Sequence, residues 1–257
     1  MKPVELRRII SKSEFIKPTA GYCNGFVQAN LVVLPSEYAG DFEKFCEKNP
    51  KPCPLLEVVG PGKHHTSKIA KGADLLKDIP KYQTFIDGKP DKEISDITDL
   101  YKEDFVFFLL GCSFSFEEAL MNSGIYLRHV EEKKNVSMYN TNIDLESVGI
   151  FSGKMVVSMR PIKCSRIVDA ALICSKFPSV HGAPIHVGDP SQIGISDINA
   201  VDYGDSVAVL PDELPVFWPC GVTPQNVLKQ AKLPFAITHS PGYMLVCDIK
   251  NEDLRID

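Results

Sequence analysis

The 257-residue sequence lacks several features that mark common classes of protein. It has no excess of basic residues, since its formal net charge is −5 and its lysines are scattered among acidic residues. Nucleic acid is therefore not an expected partner. It also has no GxGxxG or Walker pattern, which disfavours nucleotide binding. Low-complexity tracts are absent too, so we expect the whole chain to fold.

A long apolar run is also missing. The longest, Phe105 to Leu110, is far too short to span a membrane. The first residues, Met1 to Arg8, lack the apolar core of a signal peptide. We therefore expect a cytoplasmic protein with no membrane partner.

Closely spaced cysteine pairs are absent although the chain contains 8 cysteines. They are spread along the sequence without a CxxC motif, so reduced thiols are favoured over disulfides. Structural zinc sites usually need two close ligand pairs, so no such site is predicted. We expect no cofactor, while the sequence leaves a divalent metal and a homo-oligomer open.

What the sequence does contain is an ordinary globular composition, with 44% hydrophobic and 24% charged residues. The patterns predict a mixed α/β fold with a larger three-layer αβα domain, residues 1–137 plus 205–257, and an inserted two-layer α+β subdomain, residues 138–204. A strand, helix and strand within residues 154–187 give the insert its βαβ form. The strand at 216–218 and the elements after it are expected to return to the first sheet.

The first candidate site is the junction Gly111-Cys112-Ser113-Phe114-Ser115. A buried strand is predicted to end at Gly111 and a helix to begin at Ser113 or Ser115. Free backbone N–H groups and the helix dipole would bind carboxylate or phosphate oxygens there and lower the pKa of a thiol. Alternatively, Ser115 is an N-cap and Cys112 a small buried apolar residue.

A second junction repeats this order of residues at Cys220-Gly221-Val222-Thr223-Pro224. Thr223 suits the helix cap and Pro224 the first helical turn. The two cysteines are expected to face each other across a crevice at the strand ends, where α/β sheets bind ligands.

Two further segments contain polar side chains suited to a small carboxylate. Arg160, which follows Ser158 on a predicted strand, offers a planar fork that matches a carboxylate, although a lone arginine can equally form a surface salt bridge. Asn140 and Asn142 could hydrogen-bond a polar ligand, or could instead stabilise a turn.

The histidines His181 and His186 lie close to Asp189 in a segment rich in glycine and proline. Two imidazoles and a carboxylate could act as acid and base or hold a divalent metal. Their spacing matches no established metal motif, so acid–base chemistry by His181 is the preferred interpretation. The alternative is a structural turn histidine.

These segments together resemble the D-glutamate cyclase family of bacterial hydro-lyase proteins, nearly from end to end. The resemblance is carried by Gly25-Phe26-Val27-Gln28-Ala29-Asn30, Asn49-Pro50-Lys51-Pro52-Cys53-Pro54, Gly111-Cys112-Ser113-Phe114-Ser115-Phe116-Glu117, Tyr139-Asn140-Thr141-Asn142, Ser158-Met159-Arg160-Pro161, His181-Gly182-Ala183-Pro184, His186-Val187-Gly188-Asp189-Pro190 and Phe217-Trp218-Pro219-Cys220-Gly221-Val222-Thr223-Pro224-Gln225. It implies a two-part α/β fold and the loss of water from D-glutamate to give 5-oxo-D-proline.

For this reaction we hypothesise that Arg160 anchors the α-carboxylate, that amides around Cys112 and Ser113 hold the γ-carboxyl group, and that His181 moves protons. The complete set of expected site residues is His181, Cys112 and Cys220 in catalysis, and Arg160, Ser113, Ser115, Ser158, Asn140, Asn142, His186 and Thr223 in binding a small carboxylate or amino-acid substrate.

Two other functions fit the same residues. A cofactor-independent amino-acid racemase or epimerase would use Cys112 and Cys220 as paired bases. A non-catalytic partner or sensor in oxoproline metabolism would only bind its ligand in the crevice.

Overall fold

A computed structural model describes residues 1–257. The six helices are α1 (Pro3–Ile10), α2 (Ser36–Lys48), α3 (Phe114–Asn122), α4 (Arg128–Glu131), α5 (Ile167–Ser175) and α6 (Thr223–Ala231). The strands are β1 (Phe26–Pro35), β2 (Leu55–Val59), β3 (Tyr82–Ile86), β4 (Lys89–Ile94), β5 (Phe105–Gly111), β6 (Ser137–Asp144), β7 (Lys154–Lys163), β8 (His186–Val187), β9 (Glu213–Pro219), β10 (Phe235–His239) and β11 (Leu245–Lys250). None of the helices combines the length and the apolar character needed to cross a membrane.

The larger sheet has seven strands in the order β2-β5-β1-β10-β3-β4, with β11 also paired to β1. The long strand β1 organises this sheet, because β5 pairs along one side of it while β10 and β11 share the other side. All of these pairings are antiparallel. The rule that ligands bind in a crevice at the strand ends holds for parallel sheets, so it does not locate a site on this antiparallel sheet.

Side chains of β1 alternate between two apolar cores because successive residues of a strand point to opposite faces. Leu31 and Val33 contribute to one core and Val32 and Leu34 to the other. Helices α2 and α6 contribute side chains to the core that contains Val32. The core on the other face of the sheet, which contains Leu31, is completed by the irregular segment 60–81. The structure therefore does not confirm the predicted three-layer αβα arrangement, because none of the six α-helices contributes to this opposite core.

The smaller sheet has four antiparallel strands in the order β6-β7-β9-β8. Strand β9 contains residues 216–218 and pairs with β7 from Val157 opposite Pro219 to Lys163 opposite Glu213. The prediction that this strand returns to the first sheet is wrong, and the range 138–204 does not contain the whole second sheet. Because β7 and β8 each run antiparallel to β9, they are parallel to each other, as the βαβ pattern predicts, with β9 between them.

Candidate active site

A buried arginine forms the centre of a polar cluster where β7 meets α3. Arg160 is fully buried, and its Nη1 donates to Ser158 Oγ at 2.9 Å while its Nη2 donates to Ser113 Oγ at 3.0 Å. Its Nε donates to Glu117 Oε1 at 2.9 Å, and Nη2 contacts the same oxygen. The guanidinium that was predicted to bind a substrate carboxylate therefore binds a carboxylate of the protein.

The aromatic side chains around this cluster favour the positive charge. The guanidinium carbon lies 5.3 Å from the ring centre of Phe116 and 5.4 Å from that of Trp218. A cation at this distance from an aromatic ring is attracted by the ring's quadrupole. Hydrogen bonds to the guanidinium N–H groups and cation–π contacts with the two rings therefore both stabilise Arg160.

Glu117 connects the arginine to a histidine on α4. Its Oε1 lies 3.1 Å from His129 Nε2, which donates the hydrogen bond when the carboxylate is ionised. Burial by itself would raise the pKa of Glu117, but the charges of Arg160 and His129 and their hydrogen bonds lower that pKa to about 2. The carboxylate is therefore ionised at neutral pH, and it orients the imidazole.

The same carboxylate and imidazole line a cavity of about 860 Å³. Loop residues 17–28, α3, and α4 with the residues that follow it form much of the cavity wall, and Lys17, Lys133 and Lys134 add positive charge. The Nδ1 atom of His129 is buried and has no hydrogen-bond partner. A carboxylate-oriented imidazole with a free nitrogen beside a cavity is an arrangement suited to proton transfer.

None of the side chains predicted to contact the substrate lines this cavity. Within the segment from Gly111 to Glu117, only Phe114 and Glu117 do so. Glu117 is thus the residue that belongs both to the cluster around Arg160 and to the cavity wall.

The two cysteine junctions do come together, as the sequence predicts, and Asn30 of β1 joins them. Its Nδ2 donates to the carbonyl oxygen of Gly111 at 2.9 Å. A Cβ atom on Gly221 would lie 2.3 Å from the same nitrogen. The residues beside Cys112 and Cys220 therefore pack against one carboxamide from opposite sides of the site.

Both thiols are nevertheless poorly placed to ionise. Burial, with a smaller contribution from the nearby Cys220, raises the pKa of Cys112 to about 12 against the opposing effect of a hydrogen bond from the Phe114 backbone. Burial likewise raises the pKa of Cys220 to about 11. The expected lowering of a thiol pKa at a helix start is wrong here, because desolvation outweighs the backbone hydrogen bonds.

His181 lies in a turn with a left-handed backbone, φ 85°, and is fully buried. Its Nδ1 lies 2.7 Å from the carbonyl oxygen of Lys51, and its Nε2 has no hydrogen-bond partner. Burial lowers the pKa of His181 to about 4, so the ring is neutral at physiological pH. The turn approaches the first junction closely, since a Cβ on Gly111 would lie 2.1 Å from the Ser179 carbonyl oxygen.

The remaining predicted residues are distributed between the interior and the surface. Thr223 Oγ1 hydrogen-bonds the backbone N–H and C=O of Val156, and Ser115 Oγ is buried without a partner. Asn140 and Asn142 are exposed and lie outside the cavity wall.

The structure does not support the metal alternative for the histidine segment. His186 Nε2 lies 2.7 Å from the backbone carbonyl oxygen of Asp189. His181, His186 and Asp189 do not form a group whose ligand atoms could share an ion.

Sequence reasoning assigned no role to Glu117 or His129. Glu117 follows Ser113 by four residues, which places both on one face of a helix and could have indicated a shared partner. His129 carries no comparable signal, because α4 is only 4 residues long and its contact with Glu117 depends on the tertiary fold.

Comparison with known proteins gives the family. A family model described as D-glutamate cyclase matches residues 106–248. A protein named "Putative hydro-lyase" from Psychrobacter arcticus is 53% identical over 100% of this chain and 97% of that protein. A protein of the same name from Clostridium beijerinckii is 52% identical over 99% of this chain and 97% of that protein, and "Putative hydro-lyase GK2103" from Geobacillus kaustophilus is 53% identical over 100% of this chain and 97% of that protein.

Among solved structures, a nitrogen repressor-like protein from Methanococcus jannaschii aligns over 91% of each chain with 9% identity and a TM-score of 0.41, too low to inform the fold. The relatives found by sequence are far more similar, since they are 53% identical over the whole chain. The chain therefore belongs to the D-glutamate cyclase family of hydro-lyases, which are carbon–oxygen lyases.

Proposed function

We propose that the protein dehydrates D-glutamate to 5-oxo-D-proline in the cavity beside Glu117 and His129. The observation that carries this proposal is the hydrogen bond between Glu117 Oε1 and His129 Nε2, 3.1 Å long, at the wall of an 860 Å³ cavity. Family membership supplies the class of reaction.

Ring closure requires a base and then an acid, and His129 can act as both. When Nε2–H is donated to Glu117 and Nδ1 carries no proton, the lone pair on Nδ1 can accept a proton from the substrate ammonium group. The amine nitrogen then attacks the γ-carboxyl carbon. The protonated imidazole gives that proton to one γ-carboxyl oxygen, and a second proton, released by the attacking nitrogen as the amide forms, passes through Nδ1 to the same oxygen. The C–N bond forms, the C–O bond breaks, and the doubly protonated oxygen leaves as water.

The cavity wall contains lysines and also the carboxylates of Glu117, Glu118 and Asp205. Lys17, Lys133 and Lys134 supply positive charge that attracts an anionic substrate and opposes the negative charge developing on the carboxyl oxygen. Arg160 has a different role in this proposal, since all of its hydrogen bonds in the cluster go to protein groups. It keeps Glu117 ionised and in place.

Purified protein should convert D-glutamate to 5-oxoproline, followed by chromatography, and His129→Ala should lower the rate by about 100-fold or more, the usual contribution of a general acid–base residue. L-Glutamate serves as the stereochemical control. Absence of turnover with and without added divalent metals would contradict the proposal. Binding of 5-oxoproline without turnover would instead support a non-catalytic partner.

The assignment of proton transfer to His181 makes the opposite prediction. Its ring lies outside the cavity wall, so His181→Asn, which tolerates the left-handed backbone, should retain activity. If His181→Asn abolishes turnover and His129→Ala does not, the reacting site is the buried cluster around Cys112 and Arg160.

A two-cysteine racemase is the second candidate, because the junctions bearing Cys112 and Cys220 converge on Asn30. The raised pKa values of both thiols count against it. In D₂O such an enzyme would incorporate deuterium at the substrate Cα, and Cys220→Ser would stop the incorporation. No incorporation by the parent protein would exclude this function.

A further inference from the structure

Three side chains with metal-binding atoms meet on the segment 60–81, away from the cavity. One ligand atom from each of His64, His65 and Asp74 lies within 4.8 Å of the other two. None of these residues lines the 860 Å³ cavity or belongs to the cluster around Arg160.

The distances between these atoms are close to those of a metal site. His64 Nδ1 lies 2.9 Å from Asp74 Oδ1, and His65 Nε2 lies 4.0 Å from Asp74 Oδ2. Ligands about 2.0–2.1 Å from a tetrahedral zinc ion are roughly 3.3 Å apart. The observed separations lie on either side of that value, so small side-chain rotations would bring the ligands into place.

The backbone that carries these residues is tied together. The N–H of Leu75 donates to His64 O at 2.9 Å, and the N–H of Thr66 donates to Ala73 O at 3.0 Å. The carboxylate itself is oriented, since Asp74 Oδ1 accepts a hydrogen bond from the Leu76 N–H at 3.1 Å. Carboxylates that bind metal ions are usually oriented by such hydrogen bonds from neighbouring groups.

A lysine now occupies part of the space beside the carboxylate. Lys77 Nζ lies 3.4 Å from Asp74 Oδ2, and its side chain is partly exposed. A metal ion would bring more positive charge to the same oxygen. Lys77 can swing away into solvent at little cost, because an ion pair made by an exposed lysine contributes little to stability.

We propose that His64, His65 and Asp74 bind a divalent transition metal of the Zn²⁺ class, with solvent completing the coordination. Imidazole and carboxylate are ligands that such ions accept. Ile69, Leu75 and Ile79 of the same segment pack into the core beneath it. The ion would therefore fasten the segment 60–81 over its face of the seven-stranded sheet.

The test uses the full-length, metal-free protein carrying Cys164→Ser, because the exposed thiol of Cys164 could bind zinc on its own. Calorimetric titration with ZnCl₂ should show one site, and thermal unfolding should shift upward with zinc. Asp74→Asn and His65→Ala should each weaken binding by 10-fold or more. His186→Ala, at an imidazole paired with a backbone carbonyl, should bind zinc as the parent does.

A fourth variant separates a built site from chance binding by histidines. Lys77→Ala removes the competing cation and should tighten zinc binding. The proposal is overturned if the parent shows no zinc binding at micromolar concentrations, or if His65→Ala and Asp74→Asn bind as tightly as the parent. These readouts do not depend on enzymatic activity.

Discussion

At the scale of single residues, the interior contains two opposite charges, each of which is stabilised only while the other is present. Arg160 and Glu117 are both buried, and the histidine and serine side chains around them complete their hydrogen bonds. Removing one member of a buried ion pair leaves the other charge desolvated without its partner. Replacing both by apolar residues removes that penalty.

Glu117→Leu alone should lower the free energy of unfolding by roughly 3–5 kcal/mol, because it leaves the Arg160 charge uncompensated. The double variant Glu117→Leu with Arg160→Met should lose less than the sum of the two single losses. Urea unfolding of the four proteins measures this coupling. Additive losses would contradict the description of the pair as mutually dependent.

Two buried histidines predict that the stability of the protein depends on pH. Burial lowers the pKa of His181 and of His239 to about 4, from an ordinary value of 6.5. Between these values the unfolded chain binds more protons than the folded protein, so the stabilisation is complete above pH 6.5 and falls as the pH approaches 4. Each ring contributes a loss on the order of 3 kcal/mol across that window.

His181→Asn should therefore flatten the dependence of the unfolding free energy on pH between 6.5 and 4, whatever its effect on stability at pH 8. Denaturant unfolding at several pH values provides the measurement. His186→Asn is the matched control, since that ring is only partly buried, and it should leave the slope unchanged. An equal flattening in both variants would refute the prediction.

At the scale of elements, glycine marks the places where segments approach closely. Gly111 ends β5, and a Cβ there would lie 2.1 Å from the Ser179 carbonyl oxygen and 2.8 Å from Val180 Cγ1. Gly40 lies inside α2, where a Cβ would meet no atom within 4 Å. The same substitution should have opposite effects at these two positions.

Gly111→Ala should destabilise the protein by about 1–3 kcal/mol, because backbone must move to admit the methyl group. Gly40→Ala should stabilise it by about 0.5–1 kcal/mol, since alanine is the better helix former. Thermal unfolding of both variants tests the pair. A destabilised Gly40→Ala variant would show that the helix is constrained in a way the packing does not reveal.

The elements also show what sequence patterns can and cannot specify. The buried strand predicted to end at Gly111 is β5, and it was recognised because the pattern of its apolar run depends on burial alone. Strand β6, Ser137–Asp144, was not predicted because it is largely polar. The strand β9 was recognised, but it was assigned to the wrong sheet, because the sequence of one strand does not indicate which strand it pairs with.

The candidate site was predictable to a similar extent. The convergence of the Cys112 and Cys220 junctions followed from their repeated pattern, whereas the pairing of Arg160 with Glu117 did not. Spacing predicts which side chains share a face of one element. It does not predict which buried charge will satisfy another on a different element.

At the scale of the whole molecule, the charge near the cavity differs from the charge of the chain. The net charge is −5, which would repel a dicarboxylate, whereas the cavity wall balances three carboxylates with Lys17, Lys133 and Lys134. Local positive charge attracts an anionic substrate despite the overall balance, and the attraction weakens as salt screens it.

Replacing Lys133 and Lys134 together with glutamine should raise the KM for D-glutamate several-fold, with a smaller change in kcat, because the lysines act on approach and binding. Replacing Lys89 and Lys92 of the exposed strand β4 with glutamine removes the same net charge elsewhere and serves as the control. Steady-state kinetics at low and high salt compare the two. Equal effects on KM would mean that only the net charge matters.

The enclosed guanidinium of Arg160 also has a consequence for assembly. Its hydrogen-bond partners are Ser158 on β7, Ser113 at the start of α3 and Glu117 on α3, so its charge is compensated only once α3 has docked against β7. A half-docked arrangement would strand an unpaired ion in an apolar setting and be penalised for it. We expect the cluster to contribute mainly to the specificity of folding, because it destabilises incorrect packings of the two sheets more than it stabilises the correct one.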